Sequence, residues 1–302
     1  MIRTVTNMSK ITLLLHSSFN YSKRKRRAFM ITADYHLHSS FSSDSSAPLE
    51  MQVQHAIAHT PLQTLCITDH MDFDFPKNPD GFTFVFDMEL YIEEIKRLKE
   101  IYSDKLSLQT GIELGLLPHL KEKLTDFLNR YDGVFDFIIG SSHLVKGLDP
   151  YEPEFFQTYG EKEGIRLYLE TIITNMEAFT DFEVYGHLDY VVRYAPHKEA
   201  CYLPSDYMDY YDAILKKLIH LGKGIECNTA GLKAGLSFAH PHPDVLKRYR
   251  ELGGEIITVG SDAHEPNYLG FRFDQAEQFL KAAGFRYYTV FKERKPEFIP
   301  LA

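Results

Sequence analysis

The feature that most restricts the possible folds is a repeated alternation of short apolar runs with amphipathic helical patterns. The apolar runs are rich in β-branched and aromatic residues and have the length of buried strands. They lie at residues 65–68, 106–112, 135–139, 182–186 and 256–259. Strands that alternate many times with helices form a parallel sheet with right-handed crossovers. The sequence therefore predicts an α/β fold built on one parallel sheet.

Helical patterns separate these runs. Between residues 87 and 102, for example, Tyr91, Ile95 and Leu98 recur at three- and four-residue spacings that define one apolar face. Helices are predicted at residues 49–59, 87–102, 120–130, 158–178, 205–221, 243–252 and 274–283. About seven strand-helix units result, and a sheet of this kind whose strand ends share one site is most simply a distorted α/β barrel.

The apolar runs end in residues that can bind metal ions. His36 and His38 alternate at the end of the first strand, so both side chains point to the same face. Across the chain the candidates are His36, His38, Asp44, His70, Glu113, His143, His187, Asp262 and His264. The carboxyl ends of barrel strands meet at one end of the barrel, and imidazole and carboxylate are common ligands of divalent metals. We therefore expect a metal centre at that end.

Each candidate also has a plainer interpretation. A single histidine on a strand is more often a hydrogen-bonded core or surface residue than a ligand. Six histidines, two aspartates and one glutamate all fall at or just after predicted strand ends, however, and this shared placement favours a metal site. The other histidines are interpreted as structural or surface residues, apart from His197, which lies in a loop directly after a ligand strand.

Charge is distributed unevenly along the chain. Residues 1–33 contain seven basic and no acidic residues, whereas the whole chain has a net charge of −9, so the remainder carries −16. An acidic body argues against binding a long nucleic acid, whose affinity depends on neutralising phosphates. We expect residues 1–29 to be a disordered basic leader and residues 30–302 to be one domain.

Cysteine usage and hydropathy predict a cytoplasmic protein without a membrane span. Cys66, Cys201 and Cys227 are odd in number and show no paired spacing, which suits a reducing compartment. The apolar run at 11–15 is far too short to cross a bilayer.

The motifs resemble those of the PHP (polymerase and histidinol phosphatase) superfamily and, within it, the monofunctional histidinol-phosphatases. The likeness runs from about residue 32 to residue 292. It is carried by the segments Asp-Tyr-His-Leu-His at 34–38, Thr-Asp-His at 68–70, Gly-Ile-Glu at 111–113, Ile-Gly-Ser-Ser-His at 139–143, Gly-His-Leu-Asp at 186–189, Glu-Cys-Asn-Thr at 226–229 and Gly-Ser-Asp-Ala-His at 260–264. It implies a distorted (β/α)7 TIM-like barrel of the PHP type.

The resemblance also implies three divalent ions, of zinc, iron or manganese. By motif, the first ion would be held by His36, His38, Glu113 and Asp262. Glu113 would bridge to a second ion that is also held by His143 and His187. The third ion would be held by Asp44, His70 and His264; some members of the superfamily have histidine where Asp44 stands. Asp34 and Asp69 would orient neighbouring imidazoles.

The implied reaction is hydrolysis of L-histidinol phosphate, in histidine biosynthesis, by a hydroxide that bridges the metal ions. Arg193 would bind the phosphate through its guanidinium, although a surface salt bridge is the plainer interpretation of this residue. His197 would protonate the leaving group, and Ser142 would contact the substrate.

An acidic rim would suit a small phosphate monoester whose other end is cationic. Its members are Asp72, Asp74, Asp149, Glu152 and Glu154. Two alternatives remain open: another PHP phosphoesterase that acts on a nucleotide or a short oligonucleotide end, and a non-catalytic metal-binding module. No oligomeric state is predicted.

Overall fold

The computed structural model of the chain describes residues 31–76 and 83–302. The expected basic leader at 1–29 lies outside the described residues, so the domain boundary near residue 30 stays a prediction. In the described part of the chain, eight parallel strands form a nearly closed barrel, which confirms the predicted fold class.

The order of the barrel strands is β1-β2-β4-β5-β6-β7-β8, and β3 pairs with β4 where β2 has ended. These strands are β1 (Ala33–Asp34), β2 (Thr64–Ile67), β3 (His70–Met71), β4 (Ser107–Gly115), β5 (Phe137–Ser141), β6 (Val184–Tyr185), β7 (Gly224–Asn228) and β8 (Ile257–Gly260). Backbone hydrogen bonds join the first strand to the last: Tyr35 N–H donates to the carbonyl of Val259 at 3.0 Å, and His38 N–H donates to that of Ala263 at 2.9 Å. These bonds hold the two edges of the sheet together.

Helices on the outside of the barrel connect the strands. They are α1 (Leu49–His59), α2 (Met88–Tyr102), α3 (Lys121–Arg130), α4 (Pro153–Tyr159), α5 (Glu161–Ala178), α6 (Met208–His220), α7 (Ala230–Lys233), α8 (Pro243–Glu251) and α9 (Phe273–Ala282). The sequence determines where α2 begins: Asp87 is its N-cap residue, and the Asp87 side chain accepts hydrogen bonds from the backbone N–H groups of Glu89 and Leu90. None of the described helices is long and apolar enough to cross a membrane.

Two predicted helices differ from the observed ones. The pattern at 158–178 belongs to two helices, α4 and α5, because Gly160 between them has a φ of 70°, a left-handed conformation that interrupts a helix. The helix predicted at 205–221 begins only at Met208, since Pro204–Tyr207 form a 3₁₀ turn before it.

An antiparallel hairpin, which was not predicted, covers the barrel end where the strands begin. It consists of β9 (Tyr287–Lys292) and β10 (Lys295–Pro300). The Tyr35 hydroxyl donates to the carbonyl of Phe291 at 2.7 Å, and the ring of Phe291 packs on that of Phe137 with centroids 5.1 Å apart. The hairpin therefore seals the core at this end and leaves the opposite end open to solvent.

Candidate metal centre

All nine predicted ligands lie together at the carboxyl ends of the barrel strands. Six of them line an open cavity of about 1020 Å³: Asp44, His70, His143, His187, Asp262 and His264. The remaining three, His36, His38 and Glu113, are fully buried beneath it. The fold therefore brings together side chains that are distant in sequence. His36 and His264, for example, are 228 residues apart.

Glu113, near the end of β4, is the centre of this group. Its Oε1 lies 3.2 Å from His143 Nε2 and 3.1 Å from His187 Nε2. Its Oε2 lies 3.1 Å from His36 Nε2 and 3.0 Å from His70 Nδ1. One carboxylate with two imidazole nitrogens at each oxygen is arranged as a bridge between two cations.

Asp262 faces Glu113 across the buried part of the site. Its Oδ1 lies 3.3 Å from His38 Nε2, 3.6 Å from His264 Nδ1 and 3.9 Å from His36 Nε2. The residue has a φ of 53°, a left-handed conformation that aspartate tolerates better than most residues, and its N–H donates to the carbonyl of His36. This backbone turn directs the carboxylate back over the barrel.

The outermost group is more exposed. Asp44 Oδ2 lies 2.9 Å from His264 Nε2 and 3.6 Å from His70 Nε2. The ring of His38 lies between the rings of His70 and His264, with both centroid distances at 4.2 Å. The predicted groups of ligands are thus contiguous, and His38, His70 and His264 by themselves also bring three nitrogens within reach of one ion.

Unsatisfied polar atoms show that this arrangement fits metal ions. His38 Nε2, His70 Nδ1 and His187 Nδ1 are buried and have no hydrogen-bond partner. His70 Nδ1 nevertheless lies 3.0 Å from Glu113 Oε2, in an orientation that forms no hydrogen bond. Buried polar atoms are rarely left unpaired, because the loss of hydration costs about 1–3 kcal/mol. His38 Nε2 and His70 Nδ1 thus lie beside carboxylate oxygens without hydrogen bonding to them, an arrangement that is suited to cation ligation.

Two buried carboxylates hold imidazoles from behind. Glu226 Oε2 lies 2.8 Å from Nδ1 of His36, and its Oε1 accepts the backbone N–H of His187 at 2.7 Å. Asp72 Oδ2 lies 2.5 Å from Nδ1 of His143. Each contact fixes the ring so that Nε2 faces the centre. Neither role was predicted: Glu226 lies in the Glu-Cys-Asn-Thr motif, to which no ligand-orienting role was given, and Asp72 was predicted to lie in the acidic rim.

The expectation that Asp34 and Asp69 orient imidazoles directly was wrong. Asp34 accepts hydrogen bonds from Ser261 and from the backbone N–H of Gly270, and it contacts no imidazole. Asp69 binds Ser42, whose hydroxyl lies 3.3 Å from His38 Nδ1, so its influence on that ring is indirect. Both carboxylates fasten loops through hydrogen bonds from serine residues and backbone N–H groups.

Ser142 lies outside the cavity, contrary to its predicted contact with the substrate. Its hydroxyl is 2.6 Å from the Tyr185 hydroxyl and accepts a hydrogen bond from Asn175 Nδ2 at 2.8 Å, behind the barrel wall. The adjacent Ser141 faces the site instead and donates to Glu113 Oε1 at 2.6 Å. Neighbouring strand residues point to opposite faces, so these two serines have different environments.

Arg193 lies in the cavity wall, and its side chain is only 13% exposed. The interpretation of this residue as part of a surface salt bridge is therefore wrong. Its Nη1 donates to Asp262 Oδ2 at 3.1 Å. The guanidinium rests 4.4 Å from the ring centroid of Tyr190 and 5.0 Å from that of Tyr194. Its buried Nε has no partner. The residue therefore holds a fixed positive charge beside the centre.

His197 does not reach the cavity. Its side chain is 71% exposed, and Nδ1 lies 3.1 Å from Glu161 Oε2 on the outside of the molecule. The loop turns away after Arg193, so closeness in sequence to His187 does not become closeness in space. We therefore withdraw the leaving-group role assigned to His197.

The acidic rim is partly formed. Asp149, Glu152 and Glu154 line the mouth of the cavity. Asp74 is exposed and binds His119 and Lys123 instead. Burial raises the pKa of Asp149 to about 6, so this carboxylate gains its negative charge just below neutral pH.

The charges at the centre are strongly coupled. Burial, together with the neighbouring rings of His264 and His70, lowers the pKa of His38 to about 3, which leaves it neutral and free to act as a ligand. Although burial opposes protonation, Asp72 and Glu113 raise the pKa of His143 to about 10. Binding a cation at this ring must therefore displace a proton.

Comparisons with known proteins agree with this geometry. The pattern of the PHP domain matches residues 34–230. Histidinol-phosphatase of Lactococcus lactis subsp. lactis strain IL1403 is 32% identical over 263 residues, which are 87% of this chain and 95% of that protein.

Two solved structures have the same architecture. Histidinol phosphate phosphatase from Lactococcus lactis subsp. lactis Il1403, complexed with zinc, L-histidinol and phosphate, matches with a TM-score of 0.79 at 31% identity and covers 88% of this chain and 98% of that one. A structure from Listeria monocytogenes matches with a TM-score of 0.71 at 22% identity, covers 80% of this chain and 99% of that one, and shows the shared fold.

Proposed function

This chain belongs to the PHP domain family, and we propose that it hydrolyses L-histidinol phosphate to L-histidinol and inorganic phosphate with bound divalent ions. The observation that carries the proposal is the convergence of six imidazoles and three carboxylates, with unpaired buried nitrogens, beneath an acidic cavity. The similarity to a histidinol-phosphatase over nearly the full length of that protein supports the choice of substrate.

We propose the assignment of residues to three ions that the family motifs imply. The first site consists of His36, His38, Glu113 and Asp262, the second of Glu113, His143 and His187, and the third of Asp44, His70 and His264. The observed donor distances support these sets, and mixed nitrogen and oxygen ligands suit zinc, iron or manganese. Divalent ions in such a site lower the pKa of water towards neutrality and offset the charge of a transferring phosphoryl group.

The protein's own residues position the substrate. Arg193 offers a guanidinium to the phosphate, and its packing on Tyr190 and Tyr194 removes the entropic cost of ordering the side chain. Glu226 and Asp72 keep the rings of His36 and His143 in place. At the mouth, Asp149 and its acidic neighbours attract the amine of the substrate.

We place the reaction in the cytoplasm, since the described cysteines are unpaired, as in a reducing compartment. The partner is a small phosphate monoester. The acidic body disfavours long nucleic acid as a substrate, as argued from the charge distribution.

The decisive experiment measures phosphate release by the purified full-length protein from L-histidinol phosphate, p-nitrophenyl phosphate and a nucleoside monophosphate. Each reaction is run with chelator and after Mn²⁺ or Zn²⁺ is restored. We expect chelator-sensitive turnover with a strong preference for L-histidinol phosphate. Equal turnover of all three substrates would support a different phosphoesterase of the family. Metal binding without turnover would support a non-catalytic module.

The role of Arg193 is tested in the same assay. Arg193→Ala is expected to raise KM and lower kcat, whereas Arg193→Lys keeps the charge but loses the planar fork and should recover only part of the activity. Arg272→Ala, at an exposed left-handed position before α9, is the matched control. Unchanged kinetics in Arg193→Ala would exclude a role in phosphate binding.

A further inference from the structure

A second group of metal-binding side chains lies on the outside of the barrel, away from the cavity. It consists of Glu161, the first residue of α5, and of His197 and Cys201 from the loop that follows β6. One ligand atom from each of the three lies within 4.8 Å of the other two. None of the three lines the cavity, and the proposed reaction uses none of them.

The contacts within this group already resemble a coordination shell. Glu161 Oε2 lies 3.1 Å from His197 Nδ1, and the sulfur of Cys201 lies within 4.8 Å of the ligand atoms of both residues. Two ligands about 2.05 Å from a tetrahedral zinc ion are about 3.3 Å apart. The nitrogen and oxygen therefore need to move little to accept an ion.

Neighbouring residues hold the loop in this orientation. Lys198 donates through Nζ to the carbonyl of Ala234, and Glu199 accepts hydrogen bonds from the backbone and the hydroxyl of Ser237. These bonds anchor one side of the turn to the loop at residues 234–237, which follows α7. His197 and Cys201 are left to face α5, so the ligands are presented by an anchored turn.

A nucleophilic role for Cys201 is disfavoured. Partial desolvation and the Glu161 carboxylate raise the pKa of the exposed thiol, which keeps the sulfur protonated, whereas a nucleophilic cysteine requires a lowered pKa. A bound cation reverses this effect, since it displaces the thiol proton to solvent and pairs with the thiolate.

We propose that Glu161, His197 and Cys201 form a peripheral site for one soft divalent cation such as Zn²⁺. Three protein ligands leave a fourth position for water, and the thiolate selects zinc over magnesium or calcium. The ion fastens the start of α5 to the loop that carries Arg193. The site is independent of the proposed phosphatase activity.

The proposal is tested by measuring whether bound Co²⁺ has a thiolate ligand. The full-length protein, freed of metal by chelator, is titrated with Co²⁺ and followed by near-ultraviolet absorption. A thiolate ligand produces a sulfur-to-cobalt charge-transfer band, whereas the nitrogen and oxygen ligands of the cavity do not. Cys66 and Cys227 are fully buried in β2 and β7, so a band reports on Cys201. We expect a band that Zn²⁺ abolishes by displacing Co²⁺.

Variants separate this site from the central one. Cys201→Ser should eliminate the band. His197→Ala removes one of three protein ligands and should raise the Co²⁺ concentration needed for half of the full band by at least about tenfold, equivalent to about 1.4 kcal/mol. His143→Ala should keep the band while lowering the amount of cobalt bound. The proposal is overturned if the wild type shows no band at saturating Co²⁺, if the band survives in Cys201→Ser, or if His197→Ala binds cobalt there with unchanged affinity.

Discussion

Both ends of the barrel contain buried carboxylates, but the side chains that neutralise these carboxylates differ between the two ends. At the end where the strands begin, Asp136 binds Lys99 at 3.1 Å, and Glu183 binds Arg294 at 2.7 Å. Both also accept backbone N–H groups, those of Thr110 and Ile138. Lysine and arginine keep their charge at neutral pH, so these carboxylates are permanently neutralised.

At the opposite end, Glu113 faces imidazoles instead, and Asp262 faces imidazoles through Oδ1 while its Oδ2 accepts a hydrogen bond from Arg193. An imidazole can give up its proton and then present a lone pair, so these carboxylates keep the capacity to bind an added cation. Buried nitrogens without hydrogen-bond partners occur at this end, as in His38 and His187. The comparison separates a charge network that stabilises the fold from one that remains available for chemistry.

The largest expected effect comes from removing a ring at the open end. His143→Ala should lower kcat/KM for L-histidinol phosphate by about 10³-fold, because the loss of an ion removes several kcal/mol of charge stabilisation. Thermal unfolding of the metal-free protein should change little. His220→Ala, an exposed residue at the end of α6, is the control and should behave as wild type. Full activity in His143→Ala would remove this residue from the centre.

The next effect comes from the carboxylate behind that ring. Asp72→Asn keeps the shape of the side chain but removes the charge 2.5 Å from His143 Nδ1. Metal affinity should fall by about 10- to 100-fold, as is usual when a carboxylate that orients a ligating histidine is lost. Titration of metal-free protein with Zn²⁺ measures it. Asp74→Asn on the exposed loop is the matched control, and equal affinities in the two variants would refute the positioning role.

A substitution at the barrel end that the hairpin covers should lower stability without changing activity. Arg294→Ala leaves Glu183 buried without its cation, so the free energy of unfolding should fall by about 2 kcal/mol. Because Arg294 lies at the opposite end of the barrel, kcat should stay unchanged. Lys295→Ala in the same hairpin, which is 80% exposed, should alter stability by less than about 0.5 kcal/mol. A large loss of kcat in folded Arg294→Ala would show that this end of the barrel also affects catalysis, contrary to the comparison above.

The smallest effect is expected at the mouth of the cavity. Because the pKa of Asp149 is raised to about 6, its carboxylate is neutral below that pH and charged above it. KM for L-histidinol phosphate should therefore fall, relative to KM for p-nitrophenyl phosphate, as the pH rises through 6. The phosphates of both substrates and the imidazole of L-histidinol phosphate also titrate near this pH, so the contribution of Asp149 is the difference between the wild type and Asp149→Asn. Asp149→Asn should reduce the pH dependence of the ratio relative to the wild type and raise KM for L-histidinol phosphate by about fivefold, equivalent to about 1 kcal/mol. An unchanged ratio in this variant would exclude a contact with the amine.

The sequence by itself determined the α/β class, most helix positions and the residues that converge at the open end. Period-2 and period-3.6 patterns are local properties, and α1 at 49–59 agrees with its prediction at both ends. Ligands at strand ends were also predictable, because parallel strands in a barrel all direct their carboxyl ends to one side.

Only the tertiary structure decided which polar residues meet. Ser141 is the last residue of β5 and Ser142 follows it, so the two side chains point to opposite sides, and a shift by one residue would exchange their roles. Likewise, Glu226 contacts His36 across 190 residues, whereas His197 lies ten residues from His187 and points away from the cavity. Local patterns encode the elements, but contacts between distant side chains depend on how those elements pack, and no local pattern records that packing.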